Sequence, residues 1–146
     1  MHTLETLLAA TLLILLTALG VGAIHALSLH ATAQDAAWRA SRAAALASVE
    51  TDDIEVVEDA ARTAAAGALA TGEQSVAAWA ARRALTAPLL DLDLYRFDGE
   101  TAEPLDEAGS LCGAAAVAVI TLRPSRLFPD LRVLGTSPTP TCRTTP

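Results

Sequence analysis

Residues 4–29 read LETLLAATLLILLTALGVGAIHALSL. From Leu7 to Leu29 there is no formal charge. That is a run of roughly 23 residues, where a helix rising 1.5 Å per residue needs about 20 to cross a hydrocarbon core. The stretch therefore predicts an N-terminal helix of membrane-spanning length. Its polar members, Thr11, Thr17, His25 and Ser28, are tolerated in lipid because hydroxyls bond back to the preceding turn and partner helices cover the rest. Gly20 and Gly22 fall in mid-helix, each costing roughly 0.5 to 1 kcal/mol relative to Ala. Two readings fit that cost: close helix packing in a membrane, or a segment that stretches and unwinds when subunits leave the bilayer.

Glu5 stands two residues before the apolar run. A carboxylate in hydrocarbon costs about 2.5 to 3.5 kcal/mol on insertion scales, so something must compensate it. A positive N-terminal amine from a neighbouring copy would do so at low dielectric, and Glu5 would then set axial register in an assembly. The alternative is an acid stabilising the helix N-terminal dipole, worth about 0.3 to 1 kcal/mol. No Lys or Arg precedes Arg39, whereas membrane orientation normally uses such residues on the cytoplasmic flank. The start thus reads either as an initiator Met on a weakly oriented anchor or as a chain whose basic leader has been removed, and the second fits better.

The helix does not stop at the membrane. From His30 to Val49 there is neither Pro nor Gly, so one helix is expected over residues 1–50, its apolar part spanning 4–29. Asp35, Arg39 and Arg42 share a polar face by their spacing, while Trp38, Ala45 and Val49 line a second stripe expected to be packed.

Beyond residue 50 lies an exported globular domain, 51–146. Formal charge is −7 with no Lys, and most of it falls in this domain, which argues against nucleic acid as a ligand. Thr51, Asp52 and Asp53 form an N-cap cluster ahead of a helix over about 53–71. A third helix is expected over about 74–87, ending before Pro88. Then Leu90, Leu92 and Leu94 alternate with Asp91, Asp93 and Tyr95, the period of a half-buried strand over 90–97, followed by a turn at Asp98 and Gly99. Further strands are expected at 114–123 and 131–135, before a Pro/Thr-rich tail. The fold class is α+β: a long N-terminal helix, a helical layer and a small antiparallel sheet. Cys112 and Cys142 are an even pair in an exported domain, which favours a disulfide closing a loop of roughly 30 residues, worth about 3 to 4 kcal/mol. Two unpaired small core residues are the alternative.

Catalytic chemistry is not indicated. His25 and His30 point about 140° apart on a helix, and with His2 they do not form a metal site. No His follows residue 30, which removes a Ser-His-acid triad from the outer domain. Asp52-Asp53, Asp91-Asp93 and Asp106-Glu107 lack calcium-loop spacing and read as solvated acidic surface. Arg82-Arg83 reads as an exposed helix face. No enzyme activity, cofactor or metal is expected.

Three groups of residues carry a family likeness: Glu5 ahead of Leu7–Leu29; Asp35-Ala36-Ala37-Trp38-Arg39-Ala40-Ser41-Arg42-Ala43-Ala44-Ala45; and Val117-Ala118-Val119 followed by Arg123-Pro124, Pro129 and Leu131-Arg132-Val133. With these the chain resembles a type IV pilin-like subunit, most nearly the TadE-like proteins of Tad (Flp) pili. It departs from the pattern in showing no glycine before the prepilin-peptidase cut and in leading with Met rather than Phe. The resemblance implies a structural subunit of an extracellular filament, with Met1 and Glu5 as its assembly residues and Gly20 and Gly22 as points of helix flexibility. Its partners would be copies of itself or other pilins, the inner membrane before assembly, the pilus assembly machinery and a prepilin peptidase, and the filament would lie at the cell surface. Its length exceeds that of short major subunits, which points to a minor role. The competing expectation is a bitopic, membrane-anchored envelope protein whose outer domain binds a partner without polymerising.

Overall fold

A computed structural model describes residues 2–71, 90–108, 111, 113–122 and 130–139. The expected third helix at 74–87, Cys112, Cys142 and the Pro/Thr-rich tail from residue 140 lie outside the described residues.

Helix α1 runs His2–Glu50 as one uninterrupted element, roughly 74 Å long at the standard rise. It ends where Asp52 and Asp53 offer side-chain acceptors in competition with the helical ladder. The Thr51 amide still donates to the Ala47 carbonyl at 3.1 Å. Helix α2, Ile54–Thr71, follows at once. Asp53 is its N-cap: the Glu55 amide donates to Asp53 Oδ1 at 3.1 Å, and the Val57 amide donates to the Asp53 carbonyl at 3.2 Å. The Asp53 amide in turn donates to Thr51 Oγ1 at 3.0 Å. So short a connection folds α2 back along the second half of α1.

Four strands follow: β1 Leu90–Phe97, β2 Ala102–Pro104, β3 Ala115–Leu122 and β4 Leu131–Pro138, with a one-turn helix α3, Leu105–Ala108, after β2. They make one antiparallel sheet in the order β2-β1-β3-β4. The fold is thus α+β, with the helices layered on one sheet face.

Leu92, Ala118, Ile120 and Val133 point to that face and are buried with Ala33, Ala36, Ala37, Ala40 and Ala44 of α1 and Val57, Ala61, Ala65 and Leu69 of α2. The buried stripe of α1 therefore follows positions 33, 36, 37, 40 and 44, the i, i+3, i+4, i+7 repeat of a core-facing helix. The expected stripe through Trp38 and Val49 is half exposed, at 46% and 50%, and of the three residues only Ala45 is buried. The reason is distance. A Cβ built on Gly135 of β4 would lie 2.1 Å from the Ala37 carbonyl carbon and oxygen and 2.4 Å from the Trp38 nitrogen. Backbone thus meets backbone where α1 crosses β4, and at that separation the face of α1 turned to the sheet admits Ala and excludes Trp.

Strand bounds move modestly. The first strand matches its expected range, β3 is one residue shorter at each end, and β4 runs on to Pro138. The hairpin strand β2 and helix α3 are additions. Division of the chain at residue 50 is a division of secondary structure, because the core of the head begins at Ala33.

Candidate assembly and membrane surface

The first half of α1 touches little of the rest of the described chain. Leu7, Leu8, Leu12, Leu13, Ile14, Leu15, Leu16, Leu19, Ile24 and Leu27 are all more than half exposed, and none of the most apolar window is buried. By length and composition, this is one helix able to cross a membrane. A contiguous exposed apolar surface of this extent marks a site of contact with lipid or with other protein. The apolar helix is therefore able to serve as an anchor.

Local chemistry suits an apolar surrounding. Thr11 Oγ1 donates to the Leu7 carbonyl at 2.7 Å, Thr17 Oγ1 donates to the Leu13 carbonyl, and Thr32 Oγ1 donates to the Ser28 carbonyl at 2.9 Å. Each hydroxyl is satisfied within its own helix, so none needs water. Gly20 and Gly22 are helical, and a Cβ on either would meet nothing within 4 Å. Space for a closely packed helix thus exists at both. Glu5 occupies the first turn of α1; Met1 lies outside the described residues.

Just past the apolar half, the exposed side of α1 changes character. Asp35 and Arg39 form an i, i+4 ion pair at 3.0 Å, and the Arg42 guanidinium sits 5.4 Å from the centre of the Trp38 ring. Arg42 and Trp38 therefore cover one another on the water side of the helix, a contact worth about 0.5 to 1 kcal/mol at exposed sites.

In the head, Asp53 is used as a helix cap, and Asp91 and Asp93 lie exposed on the sheet face away from the helices. Among the described residues no three His, Cys, Asp or Glu come together as metal ligands. A depression between the start of α2 and β1 encloses about 290 Å³ and is bordered by Ile54, Glu58, Leu94, Tyr95 and Leu105. Glu58 there accepts a hydrogen bond from Arg62 Nη2 at 2.7 Å. The cysteine pairing falls outside the described residues, although the Thr139 hydroxyl donates to the Leu111 carbonyl at 2.8 Å and so holds two positions near the cysteines side by side.

Sequence reasoning missed Gly135. The available signal was a lone glycine inside a strand pattern, which marks a close approach of another backbone.

Searches of protein-family models, of curated proteins and of solved structures return no match to this chain.

Proposed function

We propose that this protein is a structural subunit of a type IV-like, Tad-type filament, held in the membrane by the first half of α1 and assembled through packing of these helices from many copies. The observation that carries the reading is the division of one continuous helix into an exposed, apolar, membrane-length half and a half built into a folded head. Such a helix exchanges lipid for neighbouring copies without refolding, because its backbone hydrogen bonds are internal in both settings. Within this reading Glu5 pairs with the N-terminal amine of an adjacent subunit and fixes the axial offset between copies. Gly20 and Gly22 supply the sites of close approach or local stretching, and the acidic head faces water.

The test joins electron microscopy of sheared surface material with mass spectrometry of the chain's N-terminus. Filaments containing the chain, with a processed Met1, are the expected result. Glu5→Ala is expected to leave the head folded and to reduce filament yield by an order of magnitude or more, by analogy with the several-kcal/mol cost of an uncompensated or lost membrane charge pair. Normal yield and register in Glu5→Ala would remove the role assigned to that carboxylate. A chain recovered only from membranes, with no filament, would favour the anchored partner-binding protein. The depression beside β1 is the observation that favours this second reading.

A further inference from the structure

The sheet has two edges, and the chain treats them differently. Hydrogen-bonded and non-bonded pairs alternate along an antiparallel ladder, so one known bond fixes the rest. The Thr139 amide donates to the Ala114 carbonyl at 3.1 Å, and counting back along the register turns the backbone groups of Pro138, Thr136, Leu134 and Arg132 outward from β4. That edge is obstructed: Pro138 has no amide hydrogen, and Gln34 Nε2 of α1 donates to the outward Leu134 carbonyl. Obstruction of this kind is how proteins keep a sheet edge from recruiting another strand.

At the other edge, the Asp98 amide donates to the Thr101 carbonyl at 3.3 Å. Counting from there makes Arg96↔Glu103 a bonded pair and Tyr95↔Pro104 a non-bonded one, the one place where a proline costs the ladder nothing. Pairing stops at Pro104, since Leu105 starts helix α3. The next outward groups, the amides and carbonyls of Leu94 and Leu92, meet no strand among the described residues. They open into the depression of about 290 Å³. On the helix side it is walled by Ile54, Leu92, Leu94 and Leu105, with Glu58 there already engaged by Arg62; its other carboxylates are Asp93, on the opposite face of the sheet, and Asp106 of α3.

We propose that the edge of β1 left without a strand among the described residues is a docking site for an extended peptide segment of a partner protein, added antiparallel to Leu90–Leu94, with apolar residues turned to the helix side and basic residues alternating on the side of Asp93. Main-chain pairing supplies affinity and the alternating walls supply selectivity. The site does not depend on the filament reading, since it lies wholly in the head.

The probe is acetyl-(Val-Arg)3-Val-amide, titrated against the full chain in phosphatidylcholine nanodiscs, with amide exchange read at Leu92 and Leu94. In the docked register the valine amides face β1 and the arginine amides face away. N-methylation of the valines is therefore expected to weaken binding about tenfold or more, while N-methylation of the arginines leaves it within about twofold. Exchange at Leu92 and Leu94 should slow when the parent peptide is added, and the Asp93→Asn/Asp106→Asn variant should bind severalfold more weakly. Three outcomes would each overturn the proposal: no binding, equal binding of the two methylated isomers, or Leu92 and Leu94 amides already protected without peptide.

Discussion

Two halves of one helix, residues 4–31 and 33–45, differ in what they ask of their surroundings. Both are helical without a break; the first holds one formal charge, Glu5, and the second holds Asp35, Arg39 and Arg42. The first carries Leu and Ile, and every one from Leu4 to Leu27 is exposed; the second carries mostly Ala and buries it completely at Ala33, Ala36, Ala37, Ala40 and Ala44. Side-chain hydrophobicity alone would assign the core to the wrong half. The size of the gap decides: α1 lies so near β4 that its backbone meets the α-carbon of Gly135, and only small residues fit. The leucines and isoleucines from Leu4 to Leu27 on the other half are all more than half exposed, so their burial has to come from lipid or from another molecule.

The strongest way to break this comparison is to widen the gap. Gly135→Ala places a methyl group where the Ala37 carbonyl already lies, and should destabilise the head by about 3 kcal/mol or more, measured by denaturant unfolding in detergent. A neutral result would mean that helix and strand do not meet so closely. Leu13, at 68% exposed, offers the converse. Leu13→Asp should leave the near-ultraviolet dichroism of the head unchanged while costing membrane insertion about 3 kcal/mol, read as the carbonate-extractable fraction. Loss of head structure in this variant would show that the two halves are not independent.

Smaller effects sharpen the picture of the head. Asp53→Ala removes the acceptor for the Glu55 amide and should lower stability by about 1 kcal/mol, seen as a lower thermal midpoint. Asp98 titrates below the ordinary carboxylate value, first because the Thr101 amide donates to it and then because the Glu100 amide does. Its folded form binds a proton less readily than its unfolded form, so its contribution is present above the ordinary carboxylate pKa and is lost as pH falls through the lowered value. Amide exchange at Glu100 and Thr101 should accordingly quicken in that acidic window while the α1–α2 core holds, and Asp98→Asn should flatten the response.

Legibility varied with how locally each element is determined. Strand β1 was readable to the residue because Leu90, Leu92 and Leu94 alternate with Asp91 and Asp93, and burial of alternate residues is what a half-covered strand requires. The start of α2 was readable because Asp53 caps it through its own side chain. Strand β2 was not, since Ala102-Glu103-Pro104 has little strand propensity and is wholly exposed; the turn beside it, with Gly99 at φ 107°, brings it into register. The end of β4 goes beyond the expected 131–135 because Thr136-Ser137-Pro138 leads into a Pro/Thr-rich tail without apolar alternation, yet Ala115–Val117 of β3 is there to pair with it.

For the candidate surface, the sequence carried the apolar helix and placed Glu5 at its head. It could not distinguish which alanines of α1 are core, because Ala occurs on every side of that helix and carries almost no directional signal. Helix length, caps, strand alternation and the apolar span were determined by the sequence itself, each resting on residues a few positions apart. The face of α1 that packs, the need for Gly135 and the obstruction of the β4 edge were decided only by tertiary structure, because each depends on how closely α1 meets β4, and Ala37 and Gly135, like Gln34 and Leu134, stand about a hundred residues apart in the chain.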